Sequence, residues 1–181
     1  MSNYEYGGYA PYNYGYATPY MSAMNASNMQ GGQQTADIFT FPQNLPNALD
    51  LIQQALAGET EDRLFYSWLI ENAPSDEDKQ IISGIRDNEI GHYALFKQLF
   101  TEITGIMPQQ VQEEQFVIPE SYCAGLSRAL LGEQNAVVRY RNILYAMEFR
   151  EHINMMIEII TDELRHGILY SYLYTKNGCR G

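Results

Sequence analysis

Cysteine, histidine and basic residues are all scarce in this 181-residue chain, and each shortage closes off a class of function. Its two cysteines, Cys123 and Cys179, lie far apart with no C-x-x-C, so neither a zinc finger nor a rubredoxin-type iron site can be built from them. They read as two reduced thiols of a cytosolic protein, with a single disulfide as the alternative. Eleven Lys and Arg stand against 22 Asp and Glu, a formal charge of −11, which disfavours nucleic acid and anionic membrane surfaces as partners and favours cations. No stretch approaches the ~20 continuous apolar residues that a membrane span needs. The opening MSNYEYGG has neither the basic segment nor the apolar run of a secretory signal. The expected location is therefore cytoplasmic.

What is present divides the chain in two. Residues 1–45 hold YEYGGYAPYNYGYATPY followed by SAMNASNMQGGQQT, with almost no aliphatic side chains and no helical or strand period. Such a composition cannot bury enough surface to offset the entropy of ordering, and a disordered Tyr/Gly-rich tail is expected. In composition it resembles the low-complexity segments of spore-coat proteins, which makes the spore coat the alternative location.

Residues 46–178 carry four helical-period stripes and predict an all-α domain. The stripe Ile52, Ala55, Leu56, Glu59, Tyr66, Ile70, Ala73 marks a first helix. Pro74 breaks it, Ser75 is placed to cap a second, and Asp76, Glu77 and Asp78 suit that helix's positive end. The second stripe runs Ile81, Ile85, Glu89, His92, Phe96, Leu99, Ile103, with Gly105 as the stop. Residues 105–119 form a connection. Two further stripes follow: Leu126, Ala129, Leu130, Glu133, Tyr140, Leu144, Met147, then Met155, Ile159, Glu163, His166, Tyr170, Leu173.

The second half echoes the first. Leu56-Ala57-Gly58-Glu59 matches Leu130-Leu131-Gly132-Glu133, Tyr66 matches Tyr140, and Glu89-x-x-His92 matches Glu163-x-x-His166, each pair offset by 74 positions. Glu59 and Glu89 lie 30 residues apart with Pro74 midway. At ~1.5 Å per residue the chain climbs about 22 Å, turns and descends as far, leaving the two glutamates level on facing helices. Glu133 and Glu163 share that spacing, which puts the second turn near Ala146–Phe149. Glu and His three apart project from one helix face, so two packed hairpins gather four carboxylates and two imidazoles. Four buried carboxylates without cations would cost several kcal/mol each, and a pair of divalent ions removes that cost. His152, outside the pattern, reads as an exposed helix residue.

This ligand plan resembles that of the ferritin-like di-iron carboxylate proteins, one Glu from each of two helices and Glu-x-x-His from the other two. Within that group LAGETEDRLFY, NEIGHYALF, GEQNAVVRY and DELRHGILY resemble the four helix segments of the rubrerythrin lineage, in order. The resemblance implies a ferritin-like four-helix bundle of two duplicated hairpins. It implies two iron ions (manganese as the alternative), with Glu59 and Glu133 as single-carboxylate ligands, Glu89 and Glu163 bridging, and His92 and His166 capping one ion each. It further implies that Asp162, with Asn88 as its counterpart, orients a histidine, and that Tyr66 and Tyr140 either bond ligand carboxylates or pack. The implied activity is oxidoreduction of peroxide or O₂, as a peroxide reductase or ferroxidase drawing on an external electron donor, in a homodimer or higher homo-oligomer. Two features depart from the lineage: Ala136 stands where it usually has a further glutamate, and YLYTKNGCRG closes the chain without a rubredoxin module. A manganese catalase-like enzyme, needing no donor, is one rival. A structural or iron-binding coat protein whose tail carries the function is the other.

Overall fold

The computed structural model describes Phe39, residues 41–109 and residues 116–180, with the side chains of Glu59 and Thr60 excepted. The tail expected over 1–45 falls almost wholly outside these residues. Within them the protein is all-helical: α1 is Leu45–Ala57, α2 Glu59–Asn72, α3 Asp76–Thr104, α4 Tyr122–Leu144 and α5 Arg150–Lys176. No helix among the described residues is long and apolar enough to cross a membrane.

Local chemistry sets these boundaries. Ser75 caps α3, its hydroxyl accepting from the Asp78 amide at 3.2 Å, and three acidic residues fill the first turn, where the helix dipole favours them. Gly105 ends α3 in the left-handed region at φ 73°, which glycine enters without Cβ strain. Ser121 caps α4 through the Ala124 amide at 3.1 Å. The turn between α4 and α5 spans residues 145–149, where the equal spacing of the glutamates puts it, although no glycine or proline marks it. The first stripe is one helix in the sequence reading and two in the structure. Gly58 interrupts it while keeping right-handed angles, φ −80° and ψ −6°. Glycine lacks the side-chain packing that holds a helix interior and costs about 1 kcal/mol there relative to Ala.

Two apolar clusters fill the interior. One gathers Ile52, Phe96, Leu99, Tyr140, Ile143, Met156 and Ile159; the other gathers Leu69, Ile82, Ile85, Leu126, Tyr170 and Leu173. Along α3, α4 and α5, the segments 89–92, 133 and 163–166 fall between the residues of the first cluster and those of the second. The helices therefore carry a polar layer through the middle of the core.

Polar pairs close the layers at either end. Asp78, fully buried, accepts from Lys176 and from Asn177 Nδ2 at 2.7 Å, and Tyr122 donates to it at 3.3 Å. His152 corrects the sequence reading: it is buried, and its Nε2 lies 2.9 Å from Glu102 Oε2. A lone histidine in EFREH carries no hydrophobic cue, so its burial comes from packing of the start of α5 beside the end of α3.

Cys123 and Cys179 also depart from the expected thiols. They form a disulfide, with Cα atoms 5.5 Å apart, because the α4–α5 hairpin brings its open end together. Closing a loop of 56 residues stabilises a fold by about 4 kcal/mol in the chain-entropy treatment. Denaturant unfolding of Cys123→Ser is expected to show a loss of roughly 2–4 kcal/mol; an unchanged midpoint would mean the bridge does not form in solution.

Candidate metal centre

The polar layer is built from both ends of the sequence echo. α3 presents Asn88, Glu89 and His92, α4 presents Glu133, and α5 presents Asp162, Glu163, Arg165 and His166. His166, Glu163, His92 and Glu133 are all at most 4% exposed, while the Glu89 side chain is 23% exposed. Five of the six expected ligands therefore meet in the interior. For the sixth, Glu59, the structure gives the position of its backbone, the first residue of α2, and its side chain lies outside the described residues.

The two imidazoles stand 5.8 Å apart, centroid to centroid, inclined by 30°. Each turns Nδ1 inward. His92 Nδ1 is 3.1 Å from Glu163 Oε1 and 3.4 Å from Glu89 Oε2. His166 Nδ1 is 2.9 Å from Glu89 Oε1 and 3.6 Å from Glu133 Oε2. Glu89 thus reaches both rings with its two oxygens. One ligand atom each from Glu89, Glu133, Glu163 and His166 lies within 4.8 Å of the others.

Each imidazole turns Nε2 outward to the opposite half of the bundle. His92 Nε2 meets Asp162 Oδ2 at 3.1 Å, and His166 Nε2 meets Asn88 Oδ1 at 3.3 Å. Both acceptors take a hydrogen, so each ring donates from Nε2 and turns Nδ1 to the interior, where a bound ion would replace any proton it carries. Asp162 and Asn88 immediately precede the two glutamates of the motifs. Arg165 ties them together, donating from Nη2 to Asn88 Oδ1 at 2.9 Å and to Asp162 Oδ1 at 2.6 Å.

The interior is left short of partners. Although they sit at ion-pair distances, Glu89 Oε1, Glu163 Oε1, His92 Nδ1 and His166 Nδ1 are buried and make no hydrogen bond. An unsatisfied buried polar atom costs roughly 1–3 kcal/mol. Burial pushes the Glu163 carboxyl up to about 9 and that of Glu133 up to about 7, with the Glu89 charge adding to both. Burial alone would lower His92, but the carboxylates of Glu163 and Glu89 outweigh it and raise the imidazole to about 10. Glu89 goes the other way: burial raises it, and the two imidazoles beside it pull it below the usual range. Without cations, the cluster holds protons in their place.

Sequence reasoning missed two participants. Arg165 was in plain view inside DELRH. Asp62 lies three residues after Glu59, on the same helical face; its side chain is exposed at the cavity mouth, where partial enclosure and the carboxylates of Glu89 and Glu61 push its carboxyl upward. Asp62 and Tyr66 border two cavities, one of ≈ 230 Å³ between α2 and α4 and one of ≈ 40 Å³ toward α3, and Glu89 lines both. Neither Tyr66 nor Tyr140 hydrogen-bonds a described carboxylate; both rings are buried, and Tyr140 packs on Phe96 at 4.9 Å.

No family model and no solved structure matches this chain. It is similar to the uncharacterized protein YhjR of Bacillus subtilis (strain 168), at 32% identity over 123 residues, which cover 67% of this chain and 82% of that one. At that identity and coverage, the chain belongs to the family of the Bacillus subtilis protein YhjR.

Proposed function

We propose that the protein is a dinuclear-metal oxidoreductase acting on peroxide or O₂, built as a ferritin-like bundle of two duplicated hairpins and similar in plan to rubrerythrins. The observation that carries this reading is the set of four orphaned inward atoms on Glu89, His92, Glu163 and His166. Carboxylate oxygens and neutral imidazoles suit Fe(II) and Mn(II), and buried lone pairs without donors are what a cation satisfies. The duplication is supported by pairing as well as by spelling. Shifting His92–Asp162 by 74 positions in opposite directions yields His166–Asn88, and Asp78–Lys176 maps in the same way onto His152–Glu102.

In this reading Glu59, Glu89, His92, Glu133, Glu163 and His166 would hold the two ions. A pair of redox metals, when bound, supplies two electrons to an O–O bond. The chain supplies the rest. Asp162, Asn88 and Arg165 fix the imidazoles, and the two apolar clusters exclude water above and below. Asp62 and Tyr66 stand at the approaches, where they can hold a proton or orient what enters. Iron with an external donor is the leading assignment, and manganese with catalase chemistry is separated from it by metal content.

Iron-loaded protein is expected to consume hydrogen peroxide, and Glu89→Ala to lower that rate on the order of 100-fold or more. A variant as active as the parent would end the proposal. A second reading draws on the Cys123–Cys179 disulfide. Disulfides persist in oxidising surroundings, which favours a surface layer such as a spore coat over the cytosol.

A further inference from the structure

The larger cavity is too roomy for peroxide alone. A water occupies about 30 Å³ of liquid, and an engineered cavity of about 150 Å³ holds benzene. The space between α2 and α4 is ≈ 230 Å³. It opens because α4 turns small residues, Ala129, Gly132 and Ala136, toward it. Phe65, Tyr66 and Tyr140 supply aromatic walls, and its floor is Glu89, Glu133 and Glu163.

Its cations are unevenly engaged. Arg128 is held by Glu61, the Val117 carbonyl at 3.0 Å and the Phe65 ring. Arg139, at an exposed position, also lines the cavity, yet among the described residues it has no ion pair and no hydrogen bond; its guanidinium faces Tyr140 at 5.6 Å and acts at longer range on the Asp62 carboxyl, which it lowers. In a chain of net charge −11, a guanidinium without an acceptor beside a ring-sized cavity is a selective feature. Arginine's planar fork matches a carboxylate, and among the described residues no acidic side chain lies within hydrogen-bond reach of that fork.

The geometry points to a binding site for a small organic carboxylate, its charged end on Arg139 and its ring or short chain against Phe65, Tyr66 and Tyr140, directed at the carboxylate floor. Such a molecule is the substrate class of the proposed centre. Its role as substrate rests on that reading, but its binding does not.

The test uses the full chain, both metal-free and loaded with Mn(II), titrated calorimetrically with benzoate and with benzyl alcohol. Benzoate is expected to bind, with benzyl alcohol at least ten-fold weaker. Arg139→Gln, at an exposed helix position, is expected to weaken benzoate at least ten-fold while leaving benzyl alcohol unchanged. Absence of benzoate binding, or equal affinity in the Arg139→Gln chain, overturns the inference. Should benzoate bind as expected while Mn(II) does not bind at all, the carboxylate site stands and the metal-centre reading falls.

Discussion

Full-length protein is expected to take up two divalent ions per chain, and Glu89→Ala or Glu163→Ala to retain one or none. The two glutamates do different things from the outer ligands. Glu89 reaches both imidazoles, Oε2 toward His92 and Oε1 toward His166, and Glu163 meets His92 from the opposite helix. In the proposed arrangement, removing either would leave both ion positions short of a ligand rather than one. His166→Ala should spare one ion position, and Asp162→Ala should leave both ions bound but roughly 10–100-fold more weakly, because it frees the His92 ring without deleting a ligand. Metal analysis after gel filtration reads all four. Equal stoichiometry across the series would show that the cluster is not the binding site.

Metal uptake should also release protons, and its affinity should climb steeply with pH. At neutral pH the metal-free cluster keeps a proton on Glu163, raised to about 9, and one on His92, raised to about 10, with Glu133 half-protonated near 7. Ions require these groups deprotonated, so loading releases roughly two or more protons and the affinity changes on the order of 100-fold per pH unit. Stability of the metal-free fold follows with the opposite slope. Each of these groups has a folded value above its unfolded one (4.5 for the glutamates, 6.5 for the histidine), so the folded state holds more protons and stability falls as pH rises. Glu133 contributes this loss between 4.5 and about 7, Glu163 between 4.5 and about 9, and His92 between 6.5 and about 10. Glu89, lowered, has the reverse sign, but its effect lies below 4.5. Metal-free protein should therefore melt on the order of 10 °C lower at pH 9 than at pH 5, and a divalent ion should erase the difference. Flat melting temperatures with no proton release would contradict this account of the cluster.

Much of this site was legible because helices make spacing into geometry. Glu89 and His92 share a face by their separation alone, and the shift of 74 supplied Glu163 and His166 without any fold in hand. The resemblance implied that Asp162 orients a histidine, and in the structure that histidine is His92, at 3.1 Å. What escaped notice depended on neighbours distant in sequence. Nothing local tells Cys123 that Cys179 lies beside it, since a hairpin of 56 residues makes that contact. The break at Gly58 left no trace because the apolar stripe runs through it and its angles stay helical. His152 was legible in principle: it occupies the position that Asp78 holds in the other half, where a buried polar pair also forms. The cavity is a property of small side chains on α4 that face α2, and periodicity marks Ala129 only as inward-facing.

The central claim, that Glu59, Glu89, His92, Glu133, Glu163 and His166 hold a pair of ions, is tested most directly by anomalous diffraction from crystals of the Mn(II)-loaded chain. Two peaks roughly 3.5–4 Å apart between α3 and α5, each within bonding distance of one Nδ1, are the expected result. A single peak elsewhere, for example at the acidic start of α3, or no peak among these side chains, would contradict it.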